Sequence, residues 1–200
     1  MHFFVKNRIL CTRLIAIICL LVVLVSYHSW EENSLLDLMV QWTGFCFIVI
    51  ATLGRIWCFV YISGYKEDEL ITIGPYSLVR NPLYCFSFIG AIGLGLATEN
   101  VLSFSLMIIL FCILYPSVIE EEESTLMRRY GDLFEDYQRK IPRWIPQFKY
   151  YNEPEEYMVK PRIFLKSMLE SMWFMWFYMI LQMIESLHQF NILPKFFLIP

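Results

Sequence analysis

The residues able to do chemistry gather in two stretches. The first runs from Glu69 to Tyr84 and contains Gly74-Pro75-Tyr76 and Arg80-Asn81-Pro82-Leu83-Tyr84. Asn81 suits a helix cap and Pro82 the first helical position, so a helix is expected to start here. Its open N–H groups and positive dipole end favour an anion, and the Arg80 guanidinium can clamp a carboxylate or phosphate through two parallel hydrogen bonds. The bland alternative is a capped helix with an arginine reaching to a lipid boundary. The second stretch is Pro116-Ser117-Val118-Ile119 followed by Glu120-Glu121-Glu122-Glu123. On a helix Glu120 and Glu123 share a face while Glu121 and Glu122 point elsewhere, so at least one carboxylate is expected to face the protein interior. The alternative is a solvated acidic collar. Downstream, Leu126, Tyr130, Leu133, Phe134, Tyr137 and Ile141 form an apolar stripe at helical spacing, flanked by Arg128, Arg129, Arg139 and Lys140. Gly131 is its point of interruption, and Pro142 and Pro146 end it.

The elements that must position these residues are membrane helices. Of 200 residues, 58% are hydrophobic, 18% aromatic and 18% charged. A soluble domain of this size could not cover so much apolar surface. The net charge of −3 argues against a nucleic-acid partner, which would need a basic excess. A span takes about 20 apolar residues. Candidate spans run from Leu14 to Trp30, from Leu38 through Arg55 to Tyr65, from Asn81 to Thr98 and from Asn100 to Ile119. Only Glu99 separates the last two, which predicts a tight helical hairpin turning at Thr98-Glu99-Asn100. A fifth run, Ser171 to Ile184, spans only if extended by Ile163, Phe164, Leu165 and Leu187; otherwise it lies in the interface. The first span follows Lys6, Arg8 and Arg13 without a small-residue cleavage site, as an uncleaved signal anchor would.

The reading is therefore all-α: an integral membrane bundle of about five helices with a cytoplasmic amphipathic helix. It forms one domain over 1–200, with an N-terminal helix pair (1–65), a core (66–148) and a C-terminal helix and tail (149–200). With the N-terminus in the cytoplasm, every lysine and arginine except Arg55 and Lys195 falls on the cytoplasmic side. Both chemical stretches then lie at the cytoplasmic mouth of the hairpin. Arg55, inside a span, is expected to meet either an acidic group or lipid phosphate, or else a backbone carbonyl. The six cysteines and three histidines show no ligand clustering, so no metal is expected. Ser87, Ala91 and Gly95 recur at four-residue spacing, a row that allows close helix packing.

An anion-favouring helix start, Arg80 and a carboxylate cluster, walled by Tyr76, Tyr84 and Tyr130, would suit a small zwitterion with an aromatic ring and added positive charge. S-adenosylmethionine has that character. At these residues the sequence resembles the isoprenylcysteine carboxyl methyltransferase superfamily, which also includes phospholipid N-methyltransferases. The resemblance rests on Gly74-Pro75-Tyr76, Arg80-Asn81-Pro82-Leu83-Tyr84, Glu120 to Glu123, Leu126, Tyr130-Gly131, Tyr137, Ile141-Pro142 and Ile145-Pro146, in order, over about residues 66 to 148.

The resemblance implies an integral membrane methyltransferase. Cofactor contacts would fall on Asp68, Glu69, Leu70 and Ile71 before the turn, on Tyr76, on Asn81, Pro82, Leu83 and Tyr84, and on Glu122. Asn81 stands where the family carries histidine; it can donate a hydrogen bond but cannot act as a base. Val118 stands where prenylcysteine enzymes carry a substrate-binding arginine. Arg80, with Glu120 or Glu123 as the nearby base candidates, would serve the reaction. The acceptor would be lipid-like or prenylated and would arrive laterally from the membrane. Two rival readings are a nicotinamide-dependent membrane reductase of the sterol-reductase type and a non-catalytic membrane scaffold.

Overall fold

The computed structural model describes residues 26–28, 34–65, 69–190, 192–193 and 197–199. Lys6, Arg8, Arg13, Lys66, Asp68, Lys195 and most of the expected first span lie outside them. Of that span, Ser26–His28 forms a short strand (β1), paired in parallel with Phe197–Ile199 (β2). The helix expected to reach Trp30 therefore does not hold at Ser26-Tyr27-His28, where the apolar run has already turned polar. The remaining elements are helical.

Helix α1, Leu35–Ile62, begins at Ser34, whose hydroxyl accepts from the Asp37 N–H at 3.1 Å. Its 28 residues rise about 42 Å, enough to cross a bilayer core of about 30 Å. Leu38, Met39, Trp42, Ile50 and Leu53 face outward, and Ile48, Ala51 and Cys58 face inward. A short helix α2, Pro75–Leu78, precedes α3, Pro82–Ala97. Helix α3 lies closely along α1. A Cβ on Gly93 would stand 2.8 Å from the Gly44 carbonyl oxygen, so only glycine lets the two backbones approach this far. Of the expected small-residue row, Ser87 bonds to α1 and Gly95 faces Phe104 on the next helix, so the row serves two contacts rather than one.

The hairpin turns where expected. Glu99 takes a positive φ of 51°, and the Asn100 side chain accepts from the Ser103 N–H at 3.0 Å, starting α4. Helix α4, Val101–Tyr130, is 30 residues long and carries Pro116 inside it. At 1.5 Å per residue it rises about 45 Å, so a bilayer core of about 30 Å ends near Glu120. The stripe beyond the four glutamates is broken by Gly131, whose φ of 51° lets the chain turn into α5, Asp132–Lys140. The break shifts the helical phase, so Phe134, Tyr137 and Ile141 are buried but Leu133 is exposed. Burying Phe134 fully contributes about 1.5–3 kcal/mol.

A loop over 141–160, with one turn of 3-10 helix at Phe148–Tyr150, leads to α6, Pro161–Ser171, and α7, Trp173–Gln189. The expected fifth span is thus divided at Met172. Phe174, Phe177 and Leu181 of α7 pack on Ile48 of α1 and on Leu94 and Ala97 of α3. Among the described residues, α1 and α4 are long and apolar enough to span, and α3 is apolar but shorter at 16 residues.

Candidate active site

The two chemical stretches meet at the end of the bundle opposite the hairpin turn. The loop before α3 is fastened there by backbone groups. The Arg80 N–H donates to the Pro142 carbonyl at 2.8 Å, and the Gln147 N–H to the Leu78 carbonyl at 2.9 Å. The Gly74 N–H donates to the Asn152 carbonyl at 2.8 Å, and the Asn152 N–H to Ser77 Oγ at 3.0 Å. Residues 141–152 are therefore a strap drawn across the loop that carries Tyr76, Arg80 and Asn81. Helix α5 is tied to the same loop, because Tyr137 Oη donates to the Tyr76 carbonyl at 2.7 Å.

Glu123 is the carboxylate of the run that turns inward, 5% exposed. Its Oε1 accepts from Asn81 Nδ2 at 3.0 Å and from Arg143 Nε at 3.3 Å, and Arg80 Nη1 lies 3.6 Å away. Its Oε2 accepts from Arg143 Nη2 at 2.5 Å. Two guanidiniums and an amide thus hold one buried carboxylate, joining α3, α4 and the strap. Asn81 occupies the helix-cap position, but its side chain makes no capping bond; it is turned to Glu123 instead. A buried carboxylate needs donors more than a helix end carrying proline needs a cap.

Sequence reasoning missed Arg143. Its signal was a basic residue between Ile141-Pro142 and Ile145-Pro146, in a loop with no other reason to carry charge inward. The other glutamates divide as the helix demands. Glu120 is exposed, and Glu122 is half-buried with its field reaching Tyr76.

The remaining sequence-derived candidates line the same end. Tyr76 and Ile71 are buried with Cys58 and Tyr61, with Leu83 packed against them. Leu70 packs on Phe134, Tyr137 and Ile141, and Pro82 is buried. Tyr84 meets Tyr115 edge to face, ring centroids 5.5 Å apart. Glu69 is exposed. Three buried polar atoms here have no hydrogen-bond partner among the described residues: Tyr76 Oη, Arg80 Nε and Tyr130 Oη. Burial pushes the Tyr76 and Tyr137 hydroxyls well above the ordinary phenol range, helped for Tyr76 by the fields of Cys58, Tyr137 and Glu122. Both keep their protons at neutral pH, so Tyr76 offers a donor with no acceptor among the described residues. A buried group left so costs about 1–3 kcal/mol, a cost that a ligand acceptor would relieve.

A family model described as phospholipid methyltransferase matches residues 36–133, from α1 into α5. The nickel-cobalt-cadmium resistance protein NccN of Alcaligenes xylosoxydans xylosoxydans is 31% identical over 198 residues, 99% of this chain and 92% of that protein. The protein-S-isoprenylcysteine O-methyltransferase of Schizosaccharomyces pombe is 35% identical over 81 residues, 40% of this chain and 34% of the enzyme.

The chain belongs to the phospholipid and isoprenylcysteine methyltransferase superfamily.

It is a membrane protein, as the superfamily and its apolar helices α1 and α4 agree. A second long relative, the cobalt-zinc-cadmium resistance protein CzcN of Cupriavidus metallidurans, is 30% identical over 192 residues, 96% of this chain and 88% of that protein. No solved structure matches the chain. The superfamily match includes Tyr76, Arg80, Asn81 and the glutamate run but stops before Arg143, so the strap's arginine lies outside it.

Proposed function

We propose that this superfamily member transfers a methyl group from S-adenosylmethionine to a lipid-like acceptor at the cytoplasmic edge of the membrane. The observation that supports this reading is the set of orphaned donors, Tyr76 Oη, Arg80 Nε and Tyr130 Oη, carried by the elements that meet at the Asn81–Glu123 contact. When bound, S-adenosylmethionine supplies a methyl group already activated on a sulfonium, which an acceptor lone pair takes as the carbon–sulfur bond breaks to a thioether.

The chain's residues then have binding and alignment roles. Arg80 takes the carboxylate of the amino-acid part, and Glu122 its ammonium. The Tyr76 hydroxyl donates to an adenosine acceptor, and Leu70, Ile71, Leu83 and Tyr84 supply apolar wall. Asp68, outside the described residues, and Glu69 belong to the approach to this site. Asn81 keeps Glu123 in place by donating a hydrogen bond, a role that needs no base. The strap and α5 cover the site and exclude water. The oxygens of Glu123 are already engaged by donors, and Glu120 is exposed. That arrangement favours an acceptor that is nucleophilic without losing a proton, such as a carboxylate or phosphate. The chain crosses the membrane several times in this reading, with its N-terminus and the site on the cytoplasmic side. NccN and CzcN are named for metal resistance; here the contribution to such resistance would be the modified acceptor.

Equilibrium binding to the protein in lipid nanodiscs tests the reading. S-adenosylmethionine should bind and NADPH should not. Tyr76→Phe should weaken binding about tenfold, the loss expected for one hydrogen bond to a buried partner, and Glu122→Ala should abolish it. Absence of S-adenosylmethionine binding in lipid would sink the proposal, and NADPH binding in its place would favour a reductase. Native membranes incubated with methyl-labelled cofactor, followed by mass spectrometry, would identify the acceptor.

A further inference from the structure

Arg55 sits on α1 where that helix meets α3 and α7. Its Nη1 donates to Ser87 Oγ at 2.6 Å, and Ser87 in turn donates to the Leu83 carbonyl at 2.7 Å. Its guanidinium carbon lies 5.5 Å from the ring centre of Phe59 and 5.7 Å from that of Phe174. Among the described residues Ser87 is its only hydrogen-bond acceptor, and no carboxylate stands within ion-pair distance. Its Nε is buried with no partner. Glu170 on α6 reaches it only as a more distant field, alongside Tyr115, Cys58 and Tyr76.

A guanidinium presents five donors in a rigid fork, and one serine hydroxyl leaves most of that fork unused. Aromatic neighbours stabilise the charge without satisfying its N–H groups. A permanent cation inside a span is retained where something pairs with it, and nothing in the described protein does. Position sharpens the point. Ser87 lies five residues beyond Pro82 on α3, so the guanidinium is about 7.5 Å below the helix start that bears Asn81. The Arg55 charge is also near enough to act on the Tyr76 hydroxyl. Two orphaned donors, Tyr76 Oη and Arg55 Nε, thus lie in one region, the arginine on the membrane side of the proposed cofactor site.

We propose that Arg55 is the recognition residue for an oxyanion, a carboxylate or a phosphate, on the lipid-like acceptor. This rests on the methyltransferase reading for the word acceptor, though the anion site itself does not. The acceptor's charged group would reach the fork between α1, α3 and α7, and its chains would remain in the bilayer. Arg55 has no covalent step of its own: it sets which acceptors are held and at what depth.

Native mass spectrometry of the detergent-solubilised full chain can read this through competition among oleate, dioleoyl phosphatidate and oleyl alcohol. The wild type should prefer at least one anionic lipid over the alcohol by about tenfold, the size of a charge-assisted hydrogen-bonded contact. Preference for oleate assigns a carboxylate, and preference for phosphatidate a phosphate. Arg55→Gln should erase the preference and Arg55→Lys should keep part of it, with S-adenosylmethionine binding unchanged in both. Surface lysines and arginines attract anionic lipid in every variant, so a preference surviving in Arg55→Gln would overturn the proposal. Equal binding of charged and neutral lipids by the wild type would overturn it without any variant. Loss of S-adenosylmethionine binding in the wild type would defeat the methyltransferase reading and leave the lipid result standing on its own.

Discussion

Carboxylates gather at both ends of the helical bundle, and the two ends treat them differently. At the site end, buried Glu123 is met by Arg80, Arg143 and Asn81. At the hairpin-turn end, Asp37 and Glu99 are buried near Glu185, and the partners there include the amides of Gln41 and Gln189. The segments that meet at that end, 34–44, 97–103 and 181–190, contain no lysine or arginine. A guanidinium fork fixes a carboxylate in direction as well as in charge, whereas amides and neighbouring acids fix it only loosely. The difference separates an end built to hold geometry from an end that merely closes a turn.

The largest expected effect is at the site end. Glu123→Ala leaves two guanidiniums without their shared counter-charge and should cost about 3 kcal/mol, the low side of the range for a broken buried pair because Arg143 is partly exposed. Denaturant unfolding in lipid would read it, and a loss of under half that size would mean the cluster is solvated. Asn81→Ala removes one donor while the arginines remain. It should cost about 1 kcal/mol, whereas Asn81→His should retain the contact and most of the stability. At the other end the sign should reverse. Glu99→Gln keeps a hydrogen-bonding side chain and removes the cost of burying an acid, and of holding it beside Glu185, for a gain of about 0.5–1 kcal/mol. If that variant is destabilised as Glu123→Ala is, the contrast between the ends fails.

The smallest effect concerns pH. The Tyr151 and Tyr61 hydroxyls donate to Glu153 and hold its carboxyl below the usual range. A lowered folded-state value means that this tie is complete above the ordinary carboxylate range and is lost as pH falls through the lowered value. Limited proteolysis of 141–160 should therefore quicken slightly in acid and not in base, and Glu153→Gln should remove that dependence.

Much of this arrangement was legible in the sequence. The hairpin turn could be placed because a single charge, Glu99, separates two uncharged runs. The break at Gly131 could be anticipated because glycine there interrupts a helical stripe. The inward carboxylate was harder to assign. Four identical residues in a row carry no phase, so which of them faces inward is decided by how α4 packs on α3 and the strap, not by residue type. The resemblance drew attention to Glu122; the structure buries Glu123 and leaves Glu122 half-covered. Arg143 was missed for a related reason. Its partner is 20 residues away across a turn that no periodicity describes. The fifth run, Ser171 to Ile184, falls almost wholly within α7, while its possible extension back to Ile163 is a separate helix, divided from it at Met172 just after Lys166, Glu170 and Ser171.

The strap's fastening has a consequence for how this site can vary. Three of its four loop ties join backbone to backbone, and the fourth uses only the Ser77 hydroxyl. Side chains such as Trp144, Ile145 and Phe148, which are exposed, contribute nothing to those ties. They can be exchanged while the roof stays at the same height over Asn81 and Tyr76. The cover is therefore a fixed chassis with replaceable panels, on which a lineage can change what enters the site without rebuilding what holds it shut.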